Sequence, residues 1–155
     1  MRKPMGNSTF QYVTYVRATR EKLWHALTTP QIIERYWFGC RIDGDWKVGS
    51  TWKCYNGGEL MDSGEILESV PGKRLVRSWL NEWKPELKAE GVSQCVYEME
   101  AAGASVKLTV THSMERPNSK FIAAVAEGWP MCLSNLKSLL ETGDIVLTEH
   151  PGHGG

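Results

Sequence analysis

The stretch EGWPMCLSNLKSLLETG, Glu127–Gly143, decides the fold. Its apolar side chains recur at intervals of three and four, the spacing of one helix face, although Pro130 stands near its middle. An interior proline removes a backbone hydrogen bond and crowds the preceding turn, at a typical cost of about 3 kcal/mol. Upstream, Asn118 or Ser119 in ERPNS is a cap, so one long helix is predicted to run on to Gly143. Ile122, Val125, Trp129, Cys132, Leu133, Leu136 and Leu140 form its stripe, and Lys120, Glu127, Asn135, Lys137 and Glu141 face away. A helix with one dry stripe needs a sheet with one dry face.

The sheet is legible between Cys40 and Ser113. Short β-rich runs, Ser50–Tyr55, Leu60–Val70, Arg74–Leu80, Val92–Ala101 and Ser105–Ser113, are separated by Asn56-Gly57-Gly58, Pro71-Gly72-Lys73 and Ala102-Gly103, with a weaker run near Arg41–Asp43. Such spacing predicts a meandering antiparallel sheet. In the last run Val106, Leu108, Val110 and His112 share one face, while Ser105, Lys107, Thr109 and Thr111 share the other. Cys95, Tyr97 and Met99 are placed inward in the run before it.

Ahead of the meander, Phe10–Arg17 reads as a strand. Thr19 caps REKLWHAL, and Thr29 with Pro30 opens the short helix PQIIERYWF, for which Gly39 suits the C-terminal cap. Two short helices are thus inserted after strand one.

Composition bounds the function. The chain has 155 residues, 41% of them hydrophobic, which suffices for one core and is too short for two ordinary domains, so a single soluble domain is expected. Eighteen basic residues balance eighteen acidic ones, so no global field draws the protein to nucleic acid or to an anionic membrane. Cys40, Cys54, Cys95 and Cys132 contain no Cys-x-x-Cys pair, which argues against zinc and against a disulfide framework; they read as reduced core residues. No apolar stretch follows Arg2 and Lys3 that would serve as a signal core, so the cytoplasm is the expected location. Seven tryptophans are the compositional excess: something large, flat and apolar is being enclosed.

The order of strand, two short helices, meander and long helix, with EKLWHALTTP, YWFGCRIDGDWKVGS, DSGEILESVPGKRLVRSW, KLTVTHS and GWPMCLSNLKSLLETG, resembles the START-like helix-grip (SRPBCC) superfamily. Within it the chain is similar to the bacterial branch of activators of Hsp90 ATPase homologues. The resemblance spans about residues 10 to 143 and implies an α+β helix-grip: a curved antiparallel sheet of about six or seven strands wrapped around the C-terminal helix. Residues 1–155 then form a single START-like domain, with 144–155 as a flexible tail. It also implies an apolar cavity between sheet and helix.

Gly128-Trp129-Pro130 offers a reason for that cavity. A kink there would hold the first half of the helix off the sheet while Leu133–Leu140 closes on the core; the alternative is that the kink merely wraps the helix over a twisted sheet. The expected lining is Tyr36, Trp37, Trp52, Trp79, Tyr97, His112, Val125, Trp129 and Leu133, with Trp83 at the mouth. His112 is either an acid–base or ligand-orienting group or a hydrogen-bonded core histidine; no partner completing a triad stands beside it in sequence. DSGE (Asp62–Glu65) reads as a carboxylate near the cavity or as a solvated edge with a bulge at Gly64. Glu82, Glu86 and Glu90, alternating with Lys84 and Lys88, read as clothing an exposed loop or short helix, Arg77 is not assignable to a face, and His150 and His153 are weak metal candidates.

Three function classes follow. Binding of a small hydrophobic or aromatic ligand, lipid or polyketide-like, leads. A cyclase or small hydrolase using His112 is the second, although no catalytic signature is present and no cofactor or metal is implied. The third is a chaperone ATPase activator-like module, against which stands the lack of room for the additional N-terminal domain of eukaryotic members. A homodimer is left open as a partner.

Overall fold

The computed structural model describes residues 7–149. The chain enters as β1 (Ser8–Val16), whose β-branched and aromatic side chains alternate between faces. Thr19 then caps α1 (Arg20–Thr28), its hydroxyl accepting from the Lys22 amide at 3.1 Å, with Glu21 in the first turn. Pro30 opens α2 (Pro30–Tyr36) at the position where its missing N–H is harmless. Thr29 makes no side-chain cap, because its hydroxyl pairs with His25 Nδ1 at 3.1 Å.

The meander follows as β2 (Arg41–Asp43), β3 (Thr51–Asn56), β4 (Glu59–Val70), β5 (Arg74–Asn81), β6 (Ser93–Ala102) and β7 (Ser105–Met114). A one-turn α3 (Pro85–Lys88) interrupts it between β5 and β6, and α4 (Lys120–Thr142) closes the fold. The seven strands pair antiparallel in the order β1-β7-β6-β5-β4-β3-β2. Because α1 and α2 carry the chain across from one edge strand to the other, β1 pairs with the last strand of the meander. This is the α+β helix-grip arrangement.

The predicted inward faces of β6 and β7 are buried: Cys95, Tyr97 and Met99 on one, Val106, Leu108, Val110 and His112 on the other. On α4, Trp129, Cys132, Leu133 and Leu136 are buried, whereas Val125 is only half-covered. The helix runs through Pro130 as one element. Ser119 caps it, accepting from Ile122 N at 3.0 Å, and the Glu90 carboxylate accepts from the amides of Lys120 (2.9 Å) and Phe121 (3.1 Å). Glu90, read as clothing an exposed loop or short helix, is therefore an anion seated on the positive end of α4.

Four expectations need correction. Asn135 is buried rather than outward: its amide oxygen accepts from Val146 N (3.0 Å) and Leu147 N (2.7 Å), and its nitrogen donates to the Leu147 carbonyl (2.9 Å). For that reason the flexible tail expected from residue 144 is pinned to α4 in its first part, with Ile145 packed on the core. Cys40 and Cys54 form a disulfide, since antiparallel β2–β3 pairing brings their Cα atoms to 6.2 Å, a proximity invisible at a sequence separation of 14; Cys95 and Cys132 are free and buried. The bulges on β4 lie where its register shifts, at Met61 against β3 and at Leu67 against β5, not at Gly64. Gly64 is there for another reason: a Cβ would overlap the Ser78 carbonyl of β5. His150 and His153 lie outside the described residues.

Candidate functional site

A cavity of about 590 Å³ opens between the β3–β5 side of the sheet and the first half of α4. Phe121, Ala124, Val125, Gly128, Trp129 and Cys132 form its helical wall. Their spacing of three and four is one face of α4, and the wall stops where Leu133 and Leu136 enter the core. The opposite wall comes from Cys54, Met61, Asp62, Trp79 and Asn81; Trp37, Phe38 and Cys40 after α2, and Trp83 with Leu87, close the sides. Exposed Asn56, Glu59, Thr148 and Glu149 mark the mouth.

Five residues predicted for this lining, Trp37, Trp79, Trp83, Val125 and Trp129, reach the cavity. The other five, Tyr36, Trp52, Tyr97, His112 and Leu133, do not; they are buried behind its wall. Tyr36 donates its hydroxyl to the Ala26 carbonyl at 3.1 Å, and Trp52 donates its indole N–H to the Ser78 carbonyl at 3.1 Å. The walls are tied together through rings: Trp37 meets Trp129 edge-on at 5.0 Å between centroids, and Trp79 meets Trp52 edge-on at the same separation.

His112 is a hydrogen-bonded core residue. Trp129 Nε1 donates to its Nδ1 at 3.1 Å, so the neutral ring carries its proton on Nε2, which donates to Ser93 Oγ at 2.8 Å. Ser93 passes its own proton on to the Trp79 carbonyl at 3.1 Å. Burial, with the positive charge of Arg77 adding to it, pushes the imidazole down to about 3. Both nitrogens are engaged and the ring is uncharged at neutral pH, so it neither takes nor gives a proton to a molecule in the cavity.

Arg77, unassigned from sequence, is buried on β5. Its Cζ lies 4.4 Å from the ring centroids of both Trp52 and Trp79 and 5.5 Å from those of Trp46 and Tyr97, and Nη2 donates to the Tyr97 hydroxyl at 2.7 Å. The guanidinium is held in an aromatic box behind the cavity wall.

Asp62 is the ionisable group the sequence undervalued. Alternation alone lets only one of Met61 and Asp62 face inward; the bulge at Met61 turns both toward the cavity. Trp79 Nε1 donates to Asp62 Oδ1 at 2.9 Å and Asn81 Nδ2 reaches the same oxygen at 3.5 Å. Burial pushes the carboxyl up to about 6, against the opposing pull of the Trp79 N–H and of Arg77. The DSGE motif was the available signal, but no sequence pattern located the bulge. Among the described residues no group of three His, Cys, Asp or Glu side chains is placed to hold a metal ion, and no helix is long and apolar enough to cross a membrane.

The family model described as "Activator of Hsp90 ATPase homolog 1-like protein" matches residues 17–141. The chain belongs to that family. Among solved structures similar to this member of it, ChR145 from Cytophaga hutchinsonii shares 30% identity at a TM-score of 0.69, over 88% of this chain and 95% of that one. CalU16 from Micromonospora echinospora shares 25% at 0.72, over 89% and 76%. The Aha1 dimer from Colwellia psychrerythraea shares 23% at 0.73, over 88% and 98%. No curated protein matches the chain.

Proposed function

We infer that the chain binds a small hydrophobic or aromatic molecule in the cavity between its sheet and the first half of α4. The observation that carries this reading is the open volume of about 590 Å³ between the sheet and α4, walled by Trp37, Trp79, Trp83, Phe121 and Trp129. Interiors are ordinarily filled to crystal density, so a pocket of this size and lining is the default place for a ligand. The reading needs no chemical step, and it stands against catalysis at His112, whose nitrogens are both engaged inside the core.

The family's description favours a second reading, a module that stimulates a chaperone ATPase. A homodimer of this chain is proposed alongside, supported by the dimeric Colwellia relative. The cytoplasmic location is likewise kept as a proposal; the Cys40–Cys54 disulfide weighs against it, because such bonds persist mainly in oxidising compartments.

A thermal-shift screen over aromatic and polyketide-like compounds, followed by tryptophan quenching, tests the leading reading. Binders should raise the melting temperature and quench fluorescence, and Gly128→Leu, which fills the cavity from α4, should abolish both effects while the protein stays folded. Binding undiminished in Gly128→Leu would place the ligand elsewhere.

A further inference from the structure

The cavity carries a charge pattern that narrows the ligand class. Among the described residues, three carboxylates line it, Asp62 in its wall and Glu59 and Glu149 at its mouth, and no lysine, arginine or histidine does. The chain as a whole is electrically balanced, so the one-signed lining is local. A hydrophobic anion entering this space would meet negative charge at the mouth and again at the wall, whereas a cation would meet an acceptor at each point.

The aromatic lining acts in the same direction. Ring faces are negative, and a cation enclosed by several of them gains attraction that water cannot match once it is excluded. This fold already holds one cation that way, the Arg77 guanidinium among Trp46, Trp52, Trp79 and Tyr97. Outside the lining, the Lys84 ammonium lies 5.2 Å from the Trp83 ring centroid.

Resting on the ligand-binding reading above, we propose that the cavity selects amphiphilic amines, with an aromatic or aliphatic body against the tryptophans of α4 and β5 and the ammonium on the Asp62 carboxylate. Asp62 is oriented for this: Oδ1 accepts from Trp79 Nε1 and Asn81 Nδ2, which fixes the carboxyl plane in the wall. The groups facing it are few. Arg77 lies behind the Trp79 ring and Glu82 follows β5; across the strand register stands Cys54, tied up in the disulfide, and on α4 the Cys132 thiol is pushed up to about 12 by burial. None of these supplies a competing cation inside the cavity.

Isothermal titration with naphthylmethylamine, naphthylmethanol and naphthylacetate tests this, since the three probes share a body and differ in head-group charge. A hydrogen bond to a charged group in a desolvated site corresponds to an affinity gain of roughly tenfold or more. The amine should therefore bind at least about tenfold tighter than the alcohol, and the acid most weakly. In Asp62→Asn the amine should fall to within about twofold of the alcohol, with the alcohol unchanged. Equal binding of amine and alcohol to the wild type, or a preference that survives in Asp62→Asn, overturns the charge selection and leaves the hydrophobic cavity standing. Binding of none of the three overturns both readings. Should Asp62→Asn not fold, the wild type answers alone: lowering the pH from about 7.5 to about 5 protonates Asp62, so the amine should lose its advantage while the alcohol stays level. An amine affinity that does not move over that range overturns the proposal.

Discussion

Acidification should act on this domain through two buried groups of opposite sign. His112 titrates at about 3 in the folded protein against an ordinary 6.5, so the unfolded chain takes up its proton first. Its contribution to stability is complete above pH 6.5 and is lost as pH falls toward 3, at about 1.4 kcal/mol per pH unit and about 4 to 5 kcal/mol in all. Asp62 runs the other way. Its folded value of about 6 lies above the ordinary 3.8, so its ionisation weakens the fold above pH 6, and that penalty, about 3 kcal/mol, is relieved as pH falls to 3.8. Between pH 6 and pH 4 the two effects nearly cancel. Urea unfolding at stepped pH should therefore show about 3 kcal/mol of lost stability over that interval in Asp62→Asn relative to wild type, and a gain of similar size in His112→Phe. Glu82, Glu90 and Glu141, whose carboxyls are held low, weaken all three proteins alike in acid and drop out of the differences. Long-range proton–nitrogen NMR gives the direct reading, with His112 protonated on Nε2, bare on Nδ1 and unchanged down to about pH 4. A His112 midpoint near 6.5, or parallel pH profiles for the two variants, would refute the enclosed network of Trp129, His112 and Ser93.

Three further outcomes follow from the packing. Gly64→Ala drives a methyl group into the Ser78 carbonyl across β4 and β5 and should cost about 3 kcal/mol or more, read as a lowered urea midpoint; a neutral result would mean the strands are not that close. Asn135→Ala removes the clamp on Val146 and Leu147, at about 1 to 3 kcal/mol, and should make the segment after Gly143 the first site of limited proteolysis. Thiol titration should find no reactive cysteine in the native protein and, after unfolding without reductant, only Cys95 and Cys132; four thiols on unfolding would exclude the Cys40–Cys54 bond, whose reduction should otherwise cost about 3 kcal/mol.

Sequence by itself determined the element order, the inward faces of β6 and β7 and the apolar stripe of α4, because periods of two and of three to four are local properties of the backbone. From Gly128-Trp129-Pro130 it also raised, without deciding between them, a hollow beneath the first half of that helix and a simple wrap of the helix over the sheet. Which of the expected lining side chains reach the cavity was decided only in three dimensions. Tyr36, Trp52, Tyr97 and His112 are as buried as residues of the core and do not line the cavity, and only their tertiary surroundings separate wall from core. Asp62, the disulfide and the Asn135 clamp were decided there too. Each depends on a bulge, a strand pairing or a chain reversal that joins residues through contacts no periodic pattern encodes.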